Sequence, residues 1–215
     1  MRRDERVVRA LVGAHGQTYA EEAGIRLRDT PQPLYRLLVL AHLLSARIRG
    51  SIAVATARSL YEAGLRDPHR MASASWQDRV DALGRGGYRR YDERTAAQLG
   101  AGAELLGERW GGDLRRLRKE ADGEVCELRR LLREFPGVGP AGADIFLREA
   151  QRVWPDIGPY LDGKALQGAG RLGLPKDPEQ LVELAGRTEP AVLAAALVRA
   201  ALDKEVAEDC LRHAE

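Results

Sequence analysis

The chain has 215 residues, 44% hydrophobic and 31% charged, a balance that suits a folded globular protein and excludes a disordered or fibrous one. Its longest apolar runs, Leu37 to Leu44 and Ala191 to Val198, are too short to span a bilayer, and Met1-Arg2-Arg3-Asp4 lacks the apolar core of a secretory signal, so a cytoplasmic location is expected. A net charge of +2 neither demands nor excludes a nucleic acid, because a local patch outweighs the total; the 34 cationic side chains are nearly all Arg.

Nearly every periodic segment predicts a helix. Pro33 opens one that carries Leu34, Leu37, Leu38, Ala41, Leu44 and Ile48 on a broad apolar face. Ser51 is the expected N-cap of Ile52 to Ala63, with Gly64 as the stop. Trp76, Val80 and Leu83 predict a short helix closed by Gly84, and a longer one runs from about Tyr91 to Arg109. Between them, Gly84-Arg85-Gly86-Gly87-Tyr88-Arg89-Arg90-Tyr91 reads either as an exposed connection or as a loop facing a nucleic acid, since aromatics stack on bases and Arg pairs with phosphate. Glu124 to Glu134 and Gly139 to Ala150 form two helices around a Pro136-Gly137 turn, and later helices follow Asp162, Asp177 and Thr188. Strand alternation is absent, so the expected fold class is all-α.

The turn carries the first chemical signal. Pro136 discourages continuation of the preceding helix, and the glycines allow angles and close approaches that a side chain forbids. Gly137, Val138, Gly139, Ala141 and Gly142 would then present unpaired amides at a helix N-terminus, a seat for phosphate. Phe135-Pro136-Gly137-Val138-Gly139, with Ala143 after three more residues, resembles the DNA-binding helix-hairpin-helix motif. By itself that motif implies backbone binding without chemistry.

A second segment extends the resemblance. Leu161-Asp162 is followed at nine residues by Arg171-Leu172-Gly173, as in the helix-hairpin-helix DNA glycosylases of the endonuclease III-like family. Upstream, Leu43-Leu44-Ser45-Ala46 resembles the helix end bearing that family's duplex-probing residue, which places Arg47 there with Arg49 close by; Gly87-Tyr88 resembles a second DNA-facing loop, which adds Tyr88 and Arg89. The similarity spans roughly residues 30 to 200 in the family's order.

The resemblance implies two interleaved helical domains: residues 31–150 as a barrel containing the hairpin (about 124–150), and residues 1–30 with 151–215 as a second domain. It implies duplex DNA as partner, damaged or abasic; a monomer in the cytoplasm or on a bacterial nucleoid is expected. Asp162 would be the catalytic carboxylate, stabilising the sugar cation as the N-glycosidic bond breaks and orienting water; Asp156 is its competitor if the alignment slips. Capping of the following helix is the simpler role for Asp162, and the two are compatible.

Three departures shape the expectation. Ala141 occupies the position where bifunctional members carry a Schiff-base lysine, so strand cleavage is expected to be weak or absent; Lys164 is a remote substitute. The family's iron–sulfur cluster needs four cysteines and the chain has Cys126 and Cys210 alone, so no cofactor is expected, and no metal beyond a monovalent cation that the resemblance would put on the hairpin backbone. Arg47 replaces a glutamine, and Ala41-His42 stands where adenine-specific relatives carry a glutamate, leaving His42 a packed or surface residue. A monofunctional glycosylase is the leading expectation. A catalytically inactive protein binding DNA structures or abasic sites is the alternative, with Gln167 in place of a basic residue in its favour, and an interaction module without nucleic acid is a third.

Overall fold

In the computed structural model, which describes residues 2–213, every regular element among the described residues is a helix. The chain divides into two compact units: residues 20–147, and residues up to 19 together with those from 148 onward.

The unit of residues 20–147 is built around α3 (Pro31–Leu44), whose Leu34, Leu37, Leu40, Ala41 and Leu43 are fully buried. Proline at its first turn fits there because the missing N–H would have had no partner. On it pack α4 (Gly50–Glu62) and α8 (Leu114–Glu120); α6 (Trp76–Arg85) packs on α4 and on α7 (Asp92–Trp110), which also meets α8, with α5 (Pro68–Ser73) against α7 and α9 (Val125–Leu132) against α8. Ser75 caps α6 with a reciprocal box to Asp78, and Asp113 caps α8. The expected cap Ser51 instead lies inside α4, which starts two residues earlier because the Arg49 carbonyl already accepts the Ile52 and Ala53 amides.

The other unit holds α1 (Arg3–His15), α11 (Gly163–Arg171), α12 (Pro178–Ala185), α13 (Pro190–Leu202) and α14 (Lys204–Arg212). Nearly all of α13 is buried, and α1, α11, α12 and α14 surround it. At Gly168 a Cβ would lie 1.9 Å from the Leu197 carbonyl oxygen, so glycine is what lets α11 and α13 touch through their backbones. Asp162 and Asp177 cap their helices as expected; Thr188 does not, because Pro190 fixes the start of α13 and puts Glu189 at the N-cap.

Both unit boundaries fall earlier than the sequence suggests. Short helix α2 (Tyr19–Glu22) leads into Ala23 and Ile25, which are buried, while Arg36 and Arg58 hold the carbonyls of Gly24 and Glu22. Those bonds tie residues 20–25 to α3 and α4. Helix α10 (Pro140–Ala150) contributes its last turn, from Arg148, to the unit of the two termini. No helix among the described residues is long and apolar enough to cross a membrane.

Candidate nucleic-acid interface and carboxylate site

Leu128, Leu131 and Leu132 bury one face of α9, and Phe135 beyond it stacks on Trp110 at 5.6 Å between ring centroids. The chain then reverses tightly. Val138 N–H donates to the Phe135 carbonyl at 3.0 Å, with Pro136 second in the turn and Gly137 third at φ +83°. That is a type II β-turn, whose third position favours glycine. Val138 points inward and is buried against Gly142, where a Cβ would sit 3.1 Å from its Cγ1. Arg129 of α9 and Asp144 of α10 staple the hairpin with a two-pronged bond at 2.7 and 3.2 Å.

The first bond of α10 runs from Ala143 N–H to the Gly139 carbonyl at 3.0 Å; the amides of Gly139, Ala141 and Gly142 make no backbone hydrogen bond. No atom would touch a Cβ added at Gly139, and Ala141 is exposed. Two of these donors, at Gly139 and Ala141, therefore stand open at the positive end of a helix dipole, as an anion site requires, while Gly142 is buried.

Gly137 rests on a polar floor. A Cβ there would fall 2.5 Å from His42 Cε1 and 2.6 Å from Gln98 Oε1. His42 is buried, and desolvation lowers its pKa from 6.5 to about 4 against the opposing bond from Gln98. It is neutral at physiological pH. Beside this pair a cavity of about 340 Å³ opens between the end of α3, the start of α7 and Gly137. Ser45, Ala46 and Arg47 form one wall, Tyr88, Tyr91, Arg94 and Thr95 the other.

The structure corrects the reading of Tyr88. It is 2% exposed, and its hydroxyl lies 3.1 Å from Thr95 Oγ1, so it fastens the loop to α7 rather than standing out toward a nucleic acid. Tyr91 is the aromatic that faces outward, 51% exposed and at φ +67°. The Arg90 guanidinium lies 5.0 Å from the centre of its ring. Sequence reasoning treated Tyr91 as a helix start, and no pattern in the sequence marks its backbone angle. Arg47, Arg49 and Arg89 are exposed.

In the unit of the two termini, Asp162 Oδ1 accepts the Ala165 amide at 3.2 Å as the N-cap of α11. Arg148 Nη1 lies 3.6 Å from the same oxygen, and the two side chains are 9% and 10% exposed. The approach to Asp162 is held by Gln151, whose amide donates to the Arg148 and Tyr160 carbonyls at 2.8 and 3.0 Å and accepts the Tyr160 N–H at 2.8 Å. Arg148 and Gln151 were not singled out from the sequence, although both interrupt an apolar face. Asp156 is exposed in a 3₁₀ turn (Pro155–Ile157). Lys164 bonds Gln167 along α11 at 2.9 Å. The Arg171-Leu172-Gly173 segment ends the helix: Arg171 donates to the Ala200 carbonyl, Leu172 is fully buried, and Gly173 takes φ +68°.

The chain matches the endonuclease III of a trapped covalent endonuclease III–DNA intermediate, an estranged-adenine complex, with a TM-score of 0.50 at 17% identity, over 91% of this chain and 84% of that one. It matches the endonuclease III of a non-covalent endonuclease III–DNA complex with a TM-score of 0.52 at 15% identity and the same coverages. The fold is endonuclease III-like. Similarity at that level establishes an endonuclease III-like architecture and leaves the chemistry to the side chains. No family model and no curated protein matches the sequence.

Proposed function

We propose that the protein is a monofunctional DNA glycosylase that removes a damaged base from duplex DNA. The observation that carries this reading is Asp162, held by the Ala165 amide nine residues before Arg171-Leu172-Gly173, in a chain of endonuclease III-like fold that also presents the unbonded Gly139 and Ala141 amides of the hairpin. The hairpin seats a phosphate and holds the strand. Asp162, fixed by the Ala165 amide, faces the deoxyribose as the bond from C1′ to the base nitrogen breaks. The bonding pair leaves with the base, and the carboxylate stabilises the positive sugar. A water oxygen then bonds to C1′ and gives its proton to the carboxylate or the departing base.

Ala141 offers no amine, so the abasic site is released with its strand intact. Lys164 points along α11 to Gln167, and the reading gives it no part in the reaction. Two thiols, Cys126 exposed on α9 and Cys210 buried on α14, do not fit a four-thiolate cluster, and no group of three His, Cys, Asp or Glu side chains converges among the described residues. The reading therefore includes no iron–sulfur cofactor.

The test is a panel of lesion-bearing duplexes assayed with and without alkali. Cleavage that appears only after alkali, and is lost in Asp162→Asn, is the expected result; no alkali-dependent cleavage on any lesion overturns base excision. Arg148 favours one second reading, a protein that binds damaged DNA without cutting the glycosidic bond, because a guanidinium 3.6 Å from Asp162 compensates the charge the sugar cation would need. That reading expects binding to abasic duplexes unchanged by Asp162→Asn.

A further inference from the structure

Residues 158–161 run without regular structure from the 3₁₀ turn to α11, so the place of Asp162 depends on what anchors them. Successive residues are held in different ways. Gln151 bonds Tyr160, Leu161 is buried in the core around α13, and Asp162 Oδ1 accepts the Ala165 amide.

The bond from Gln151 is the unusual anchor. Its side-chain amide donates to the Tyr160 carbonyl and accepts the Tyr160 N–H, which does for one residue what a paired strand does. The same Nε2 donates to the Arg148 carbonyl at 2.8 Å. One buried amide thereby joins the backbone of Arg148 to a residue two before Asp162, and so spans both members of that charged pair. Glycine at 158 lets the chain come this close, since a Cβ there would lie 3.1 Å from Gln151 Oε1. An apolar side chain at 151 would fill the space without the burial cost of an amide, so what the amide adds is a fixed geometry.

That geometry bears on the carboxylate. The Ala165 amide and the Arg148 guanidinium both approach Oδ1 of Asp162, at 3.2 and 3.6 Å, and neither contact uses Oδ2. A carboxylate that must meet a developing sugar cation works by being in place beforehand, and a misplacement of about 1 Å can cost about 100-fold in rate. We propose that Gln151 is a positioning residue for Asp162, setting through the Tyr160 and Arg148 backbones where the carboxylate stands as the sugar becomes positive. The assignment rests on the base-excision reading above and adds to it the residue that holds its carboxylate.

Two duplexes of one sequence test the role, one with a tetrahydrofuran abasic analogue and one with a pyrrolidine analogue at the same position. The protonated pyrrolidine ring stands in for the sugar cation, and the tetrahydrofuran ring is its neutral counterpart. The intact protein is expected to favour the pyrrolidine duplex, and Asp162→Asn to lose that preference. Gln151→Ala should cut the preference about ten-fold, the scale of a carboxylate displaced by less than about 1 Å, and leave binding of the tetrahydrofuran duplex unchanged. Gly158→Ala, at an ordinary φ of −92°, presses a methyl group on the Gln151 amide oxygen and should lower the preference in the same direction. It keeps the test decisive if Gln151→Ala fails to fold. A merely structural role predicts equal loss on both duplexes. That result overturns the positioning role, as does full preference in every variant that folds; in either case base excision by Asp162 stands. If the intact protein binds neither duplex, shows no preference, or keeps its preference in Asp162→Asn, the charge role of Asp162 falls and the positioning role with it.

Discussion

At Asp162 one carboxylate oxygen accepts the Ala165 amide and faces the Arg148 guanidinium, so truncating it removes a helix cap and leaves a buried cation uncompensated. A lost cap costs about 1 kcal/mol, and breaking a buried pair costs more. Asp162→Ala should therefore lose about 3 kcal/mol in chemical denaturation, whereas Asp162→Asn, which still caps, should lose clearly less. Equal losses would mean that the cap contributes nothing. His42 gives a second residue-scale prediction. Its folded pKa of about 4 lies below the ordinary value of 6.5, so between these pH values the unfolded chain binds the proton and the folded one does not. Its contribution is unchanged above pH 6.5, is lost as pH falls toward 4, and amounts to ~3 kcal/mol. Subtracting the stability curve of His42→Gln from that of the unsubstituted protein should isolate this slope, and coincident curves would remove His42 as its source.

At the scale of elements, the hairpin turn separates conformational need from open space. Gly137→Ala must both hold φ +83° and push into His42 and Gln98, so a loss of about 2 kcal/mol or more is expected by urea unfolding. Gly139→Ala meets no atom and should leave stability within about 0.5 kcal/mol, but its methyl group stands beside the unbonded amides and should weaken duplex binding. Binding as tight as that of the unsubstituted protein would show that no phosphate approaches there. The hairpin is legible in sequence because its constraints are local: proline second, glycine third, apolar residues on either side. Asp162 and Asp177 are legible as caps for the same reason. The cavity is not, since His42, Tyr91 and Gln98 come together only by packing of α3 and α7, and burial turns Tyr88 inward against Thr95. Arg148 and Gln151 escape notice because their partners lie on a later segment.

For the whole molecule, a net charge of +2 among 66 charged side chains (34 cationic and 32 acidic) gives little long-range attraction to DNA. Affinity then depends on local contacts, and log K should fall linearly with log salt with a slope set by the few phosphates engaged. Arg47→Ala should reduce that slope by about one and weaken all sequences alike, as expected for a phosphate contact. Affinity indifferent to salt would exclude a phosphate-based interface altogether.

The division of the chain has a consequence for its synthesis. Val7, Val8 and Leu11 of α1 are buried in the same core as Leu193 and Leu197 of α13, almost the full length of the chain away. On a ribosome, residues 20–147 emerge with all of their own partners present, while the apolar stripe of α1 remains uncovered until α13 leaves the exit tunnel. The nascent chain thus carries an adhesive amphipathic helix while residues 20–147 are made, and aggregation or chaperone capture should act first on that stripe.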